Sequence, residues 1–154
     1  QAFLKRPSEK LDLVVPRGGE RLIAFVKEHA SCAVLVSGRG NNSLYVDKYA
    51  NWEKSLEVIL NAKTNKISAC NALDKILVNT DLDDYQSKIA RLGEVLKDKG
   101  ISILVDEQVK EILKEEPLIS EESIWEEEFL AMKCCIGSVD SLPDAIEKIN
   151  TCSG

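Results

Sequence analysis

Histidine is almost missing from this chain. His29 is the only one in 154 residues, and none stands near the acidic cluster Glu126-Glu127-Glu128. No C-x-x-C pair occurs either, so no metal site is read from the sequence. No apolar run approaches the roughly 18 residues of a membrane span, and no signal-peptide pattern opens the chain. A basic excess is lacking too. The net charge of -6 argues against nucleic acid as a partner, because binding its phosphates needs a basic face. Internal repeats, low-complexity tracts and heptad arrays are absent.

What remains is one domain's worth of chain, long enough to bury a real core. A hydrophobic fraction of 44% and a charged fraction of 30% suit a globular fold and make disorder a poor description. The five cysteines are Cys32, Cys70, Cys134, Cys135 and Cys152. Their odd number and irregular spacing do not make a disulfide framework, so reduced, intracellular thiols are expected.

Strand and helix patterns alternate from end to end. Leu11-Asp12-Leu13-Val14-Val15 is a β-branched run closed by Pro16 and Gly18-Gly19, and Leu22, Ile23, Phe25 and Val26 then recur at helical spacing. Cys32 to Val36 and Ser43 to Val46 read as strands, with Gly38 and Gly40 between them. The clearest helix puts Trp52, Leu56, Ile59 and Leu60 on one face and Glu53, Lys54 and Glu57 in water. Lys75 to Val78 reads as a strand. A helix with Tyr85, Ile89, Leu92 and Leu96 on its apolar side follows, and Gly100 fits its stop. Ile101 to Val105 is a further strand, and Val109, Ile112 and Leu113 mark a short helix. Glu115 to Glu128 reads as a solvated acidic connection. A strand is expected within Ala131 to Val139, then a last helix from about Ser141, with Pro143 and Asp144 in its first turn. This order predicts an α/β fold with a mainly parallel sheet.

Cys70 is the leading chemical candidate. It follows Asn61-Ala62-Lys63-Thr64-Asn65-Lys66 where a helical pattern gives way to a strand pattern, and a thiol at such a junction can face a cleft. The thiolate is the reactive form, and Lys63 and Lys66 are close enough in sequence to lend it positive potential. The alternative is a small buried hydrophobe, the reading given to Cys32, Cys134 and Cys135, while Cys152 lies near a terminus. Pro16-Arg17-Gly18-Gly19 lies between a strand and a helix. Its backbone N–H groups could hold phosphate with help from Arg17, or its glycines could serve turn geometry alone. Ser37 to Ser43 is a second polar turn, but it lacks a complete G-x-G-x-x-G fingerprint. His29 sits in the last turn of a helical pattern, where a cation complements the helix end. A Cys70–His29 catalytic pair is the other reading.

Taken together, several ordered motifs resemble one family, the γ-glutamyl phosphate reductases of the aldehyde dehydrogenase superfamily. Asp12-Leu13-Val14-Val15-Pro16-Arg17-Gly18-Gly19 is similar to D-L-x-x-P-R-G-G, and Tyr45-Val46-Asp47 to Y-V-D. Asn61-Ala62-Lys63-Thr64 followed by Cys70-Asn71 matches N-A-K-T-x5-C-N, the most specific element. Glu128-Phe129-Leu130 matches E-F-L, and Asp140-Ser141-Leu142 with Ala145-Ile146 resembles D-S-L-x-x-A-I.

The resemblance implies an aldehyde-dehydrogenase-like catalytic domain, a mainly parallel sheet flanked by helices. It implies Cys70 as nucleophile with Asn71 beside it, γ-glutamyl phosphate as substrate, and NADPH as cofactor. Glu128 would hold the ribose near the nicotinamide, with Arg17, Gly18 and Gly19 near the cofactor. It further implies a cytoplasmic enzyme of proline biosynthesis, a homo-oligomer in its full-length form. Residues 1–38 would be the last strand–helix unit of a nucleotide-binding domain and 39–154 the thiol domain, a fragment from which little turnover is expected.

Two departures stand out. Gly40-Asn41-Asn42-Ser43 replaces the family's G-N-C-H, and Lys66-Ile67 replaces the arginine and proline before the nucleophile. A lysine keeps the charge but not the planar fork. The altered loop leaves room for a non-catalytic relative that keeps the fold for binding or assembly.

Overall fold

The computed structural model describes residues 4, 10–36 and 40–152. The chain divides into two units, Gln1–Gly38 and Arg39–Gly154, and each is described in its own frame.

The first unit is a single β–α–β turn. Strands β1 (Leu13–Val14) and β2 (Ala33–Val34) pair in parallel, joined by helix α1 (Glu20–His29). Both strands are shorter than the apolar runs around them, since only two residues of each find a partner. Gly18 enters the helix with φ +151°, a conformation that side chains on Cβ disfavour.

The second unit is built on four parallel strands in the order β3-β4-β6-β5: β3 (Asn42–Val46), β4 (Leu73–Asn79), β5 (Ser102–Val105) and β6 (Lys133–Val139). Alternation within the strands assigns the two cores. Ile76 and Val78 of β4, Ile103 and Val105 of β5, and Cys134 and Ile136 of β6 point to one side. There they meet helices α2 (Trp52–Thr64) and α3 (Tyr85–Asp98). Leu77, Cys135 and Val139 point to the other side. They meet Trp125, and Ala145 and Cys152 of helix α5 (Leu142–Cys152). Covering both faces suits a parallel sheet, whose strands become near-continuously buried.

The helices form where their periodicity places them. Trp52, Leu56 and Ile59 of α2 are buried while Glu53, Lys54 and Glu57 are exposed. Asn51 caps this helix, its side chain accepting the Lys54 N–H at 3.1 Å. Ile89, Leu92 and Leu96 of α3 are fully buried, each contributing about 1.5–3 kcal/mol relative to exposure. Gly100, at φ +71°, ends the helix and donates its N–H to the Lys97 carbonyl at 2.8 Å.

The acidic stretch departs from the expected solvated connection. Helix α4 (Glu107–Lys110) ends before Ile112 and Leu113, which were expected within it. Beyond it, Val105 donates its N–H to Pro117 and accepts that of Ile119, so this segment docks on the sheet edge. A 3-10 turn over Glu122–Glu126 then buries Trp125 to 3% exposure. Glu116 is buried as well, paired with Lys97. Trp125 is the largest apolar group of the acidic run, and Ile119, Ile124 and Phe129 pack against the same core while the charged neighbours Glu121, Glu122 and Glu126 stay exposed. Cys152 also turns inward rather than fraying with the terminus.

Candidate active site

Three segments of the second unit converge at the N-terminal edge of the sheet. The first is the turn from α2 into β4. Asn65 closes the helix, and two tight turns follow, with Ala69 N–H on the Lys66 carbonyl at 3.1 Å and Ala72 N–H on the Ala69 carbonyl at 2.9 Å. They leave Cys70 and Asn71 exposed while Ala72 and Leu73 are already core. No hydrogen bond or ion pair engages the Cys70 thiol among the described residues.

The second segment is 40–42, before β3. Gly40 lies so close to the Cys70 carbonyl that a Cβ there would collide with it, so only glycine fits. Asn42 donates its side-chain N–H groups to the carbonyls of Cys70 at 2.8 Å and Ala72 at 3.1 Å. Asn41 ties the same stretch to the Trp125 carbonyl at 2.6 Å and the Cys152 carbonyl at 2.8 Å. Asn42, one of the two departures in this loop, therefore grips the turn that carries Cys70. Ser37, Gly38 and Arg39, the start of the polar turn singled out in the sequence, lie outside the described residues.

The third segment is 127–129, before β6. Glu128 is half-buried, and its carboxylate has no hydrogen bond or ion pair among the described residues. Its backbone is held on both sides. Lys75 donates to the Glu127 carbonyl at 2.6 Å, and Asp74 accepts the Phe129 N–H at 3.1 Å. The Phe129 ring lies under two ammonium groups, Lys75 at 3.9 Å and Lys133 at 4.4 Å from its centroid.

Charge is arranged differently from what spacing suggests. Lys63 does not offer its charge to the Cys70 thiol. It is fully buried and donates to Asp74 at 2.9 Å, so its field is answered by that carboxylate. Lys66 is exposed. Lys75, 1% exposed, has no carboxylate partner, and burial pulls its pKa below the usual lysine value. Among the thiols, burial pushes Cys134 up to about 12 and Cys135 up to about 11, and also raises Cys152. These are protonated, inert groups at neutral pH.

The remaining candidates belong to the first unit. Arg17, Gly18 and Gly19 are exposed at the entry to α1, and Gly19 occupies its N-cap without a side-chain contact. His29 closes α1 as expected. Its Nδ1 lies 2.9 Å from the Phe25 carbonyl and its ring stacks on Phe25 at 4.3 Å. No group of three or more histidine, cysteine or acidic side chains that could hold a metal occurs among the described residues. No helix among them is long and apolar enough to cross a membrane.

Asp74 and Lys75 escaped the sequence reading because Lys75 stands at the start of the strand pattern and Asp74 just before it, where charged residues look like surface groups. The available signal was their position: two opposite charges, consecutive and therefore on opposite faces, at the start of a buried strand.

No protein-family model matches the chain. Individual relatives do. The gamma-glutamyl phosphate reductase of Listeria monocytogenes is 38% identical over 148 residues, which is 96% of this chain and 35% of the relative. That of Syntrophomonas wolfei is 37% identical over 99% of this chain and 35% of the relative. The crystal structure of the Thermotoga maritima gamma-glutamyl phosphate reductase superposes with a TM-score of 0.85 at 35% identity, covering 92% of this chain and 33% of that one. A betaine aldehyde dehydrogenase from Staphylococcus aureus, solved in complex with NAD+, gives 0.62 at 18% identity over 93% of this chain and 37% of that one, a likeness of fold alone. The chain thus has an aldehyde-dehydrogenase-like α/β fold and resembles the γ-glutamyl phosphate reductases along nearly its whole length. It spans about a third of the length of the curated relatives it matches.

Proposed function

We propose that this chain supplies the thiol-bearing catalytic portion of an NADPH-dependent γ-glutamyl phosphate reductase, which makes glutamate-5-semialdehyde for proline biosynthesis. The observation that carries this reading is the contrast at one sheet edge. Cys70 is exposed and unpartnered in a turn held by backbone contacts, whereas Cys134, Cys135 and Cys152 are buried. The resemblance to γ-glutamyl phosphate reductases supports it.

In this reading the Cys70 thiolate attacks the acyl carbon of γ-glutamyl phosphate. The C–O bond to phosphate breaks, phosphate leaves with the bonding electrons, and a thioester forms on Sγ. Dividing the reduction this way replaces one hard step with two easier ones. NADPH, held by Glu128, would supply a hydride for reduction of the thioester carbon, with the Cys70 thiolate as the leaving group and the semialdehyde as product. The backbone N–H groups of Cys70 and Asn71, two exposed residues for which no backbone bond is made through N–H among the described residues, would serve the developing oxyanion.

Glu128 suits the role of a ribose ligand. Its carboxylate is half-buried and free while its peptide groups are fixed, which is what accepting bonds from sugar hydroxyls requires. In the first unit, read as the last strand–helix turn of a nucleotide-binding domain, Arg17, Gly18 and Gly19 would approach the cofactor. A cytoplasmic location and homo-oligomerisation of the full-length protein belong to the same reading.

The test is acyl transfer from an acyl phosphate. Acetyl phosphate is expected to leave a hydroxylamine-labile acetyl group on Cys70, seen by peptide mass spectrometry and absent in Cys70→Ser. Acylation confined to other residues, or none at all while iodoacetamide still modifies Cys70, would overturn the proposal.

A further inference from the structure

Consecutive residues of a strand point to opposite faces, and β4 uses this to hold one short segment from two sides. Asp74 takes the N–H of the peptide group after Glu128, at 3.1 Å, while Lys75 reaches the carbonyl of the peptide group before it, at 2.6 Å. All three charged side chains of the assembly are inside: Lys63 is 0%, Asp74 2% and Lys75 1% exposed. Burying three charges is costly unless each is paired or hydrogen-bonded, and well-packed apolar residues would hold the strand at least as firmly. What apolar residues could not do is fix both peptide groups around Glu128.

Asp74 is also four residues after Cys70, at the start of the strand that the thiol turn enters. Lys63, at the end of the helix before that turn, anchors the other carboxylate oxygen. Both ends of the thiol turn are thereby tied to the Glu128 segment through one carboxylate.

We propose that Asp74 and Lys75, with Lys63 as counter-charge, are positioning residues that fix Glu128 relative to Cys70. The inference rests on the reading of Cys70 and Glu128 as site residues, but its test uses neither substrate nor cofactor, so the two can fail separately.

The experiment compares two double variants of the chain. K63M/D74L removes the ion pair and the acceptor for Phe129. K63M/D74N removes the ion pair but keeps an acceptor. Amide exchange by NMR reads the Phe129 N–H directly. A nitroxide on Cys70, in a Cys32→Ser background, reads its distance to the Glu128 and Phe129 amides through paramagnetic relaxation. In K63M/D74L, Phe129 exchange is expected to rise at least tenfold and the relaxation pattern at 128–129 to change. In K63M/D74N both return to within twofold of the parent.

K75M is the independent variant, since it leaves Asp74 and Lys63 in place. It should shift the Glu127 carbonyl 13C resonance upfield, as loss of the hydrogen bond at that oxygen requires, while iodoacetamide alkylation of Cys70 stays within twofold. An unmoved Glu127 carbonyl resonance in K75M, or a K63M/D74N chain that behaves like K63M/D74L, would overturn the positioning role.

Discussion

Cys70 and the Cys134-Cys135 pair carry the same thiol in opposite circumstances. Cys134 and Cys135 sit mid-strand in β6, point to opposite faces of the sheet and are fully buried. Their protons are held by the absence of water around them. Cys70 sits before its strand begins, in a turn whose carbonyls are gripped by Asn42 while its side chain stays in solvent. The fold determines which thiols pack and which stays exposed, and at Cys70 it does so through bonds to backbone carbonyls rather than through the cysteine side chain.

The largest expected effect comes from breaking the charge that underlies the Cys70 edge. Asp74→Ala leaves Lys63 buried without its partner, which should cost about 3–5 kcal/mol in urea unfolding, together with the Phe129 N–H bond. If D74A unfolds within about 1 kcal/mol of the parent, the pair is not buried as described. Next is Gly40→Ala, whose methyl group would meet the Cys70 carbonyl. Overpacking of this kind costs about 1–3 kcal/mol, and Cys70 alkylation should change with it because the turn must move. Asn42→Ala removes two hydrogen bonds from the same turn. A loss of about 1–3 kcal/mol is expected, with faster amide exchange at 70–72 and unchanged exchange at 134–136.

The smallest effect belongs to the buried thiols. Their folded pKa values are raised to about 12 and about 11, whereas an unfolded thiol ionises near 8.5. Above that pH the unfolded state gives up protons that the folded state retains. The stability these thiols contribute is therefore complete below about 8.5 and is lost as pH rises towards 11 and 12. A C134A/C135A variant should flatten that part of the profile relative to the parent, and an unchanged slope would mean these thiols are not buried neutral.

Much of this arrangement is legible in the chain. The helices over Trp52–Thr64 and Tyr85–Asp98 follow from apolar spacing and caps, and β4 and β6 from their apolar runs. Cys70 stands out because small and polar residues surround it at a change of periodicity. What spacing cannot give is the partner of a charge. Lys63 looks like a free cation near the thiol until the fold brings Asp74 to it from eleven positions away. Lys75 and Asp74 look like surface residues until strands close on both sides of β4. Trp125 reads as part of an acidic connection because charge dominates its neighbourhood, yet it is buried in the second core with Ile119, Ile124 and Phe129 packed around it. Each of these depends on contacts between segments far apart in sequence.

The most direct measurement of the central claim is the rate of iodoacetamide alkylation at each cysteine at neutral pH, in the folded chain. Cys70 is expected to react first, ahead of partly buried Cys32, with Cys134, Cys135 and Cys152 modified only on unfolding. Protection of Cys70, or a rate no faster than that of Cys152, would contradict the assignment of the free thiol at the sheet edge as the reactive one.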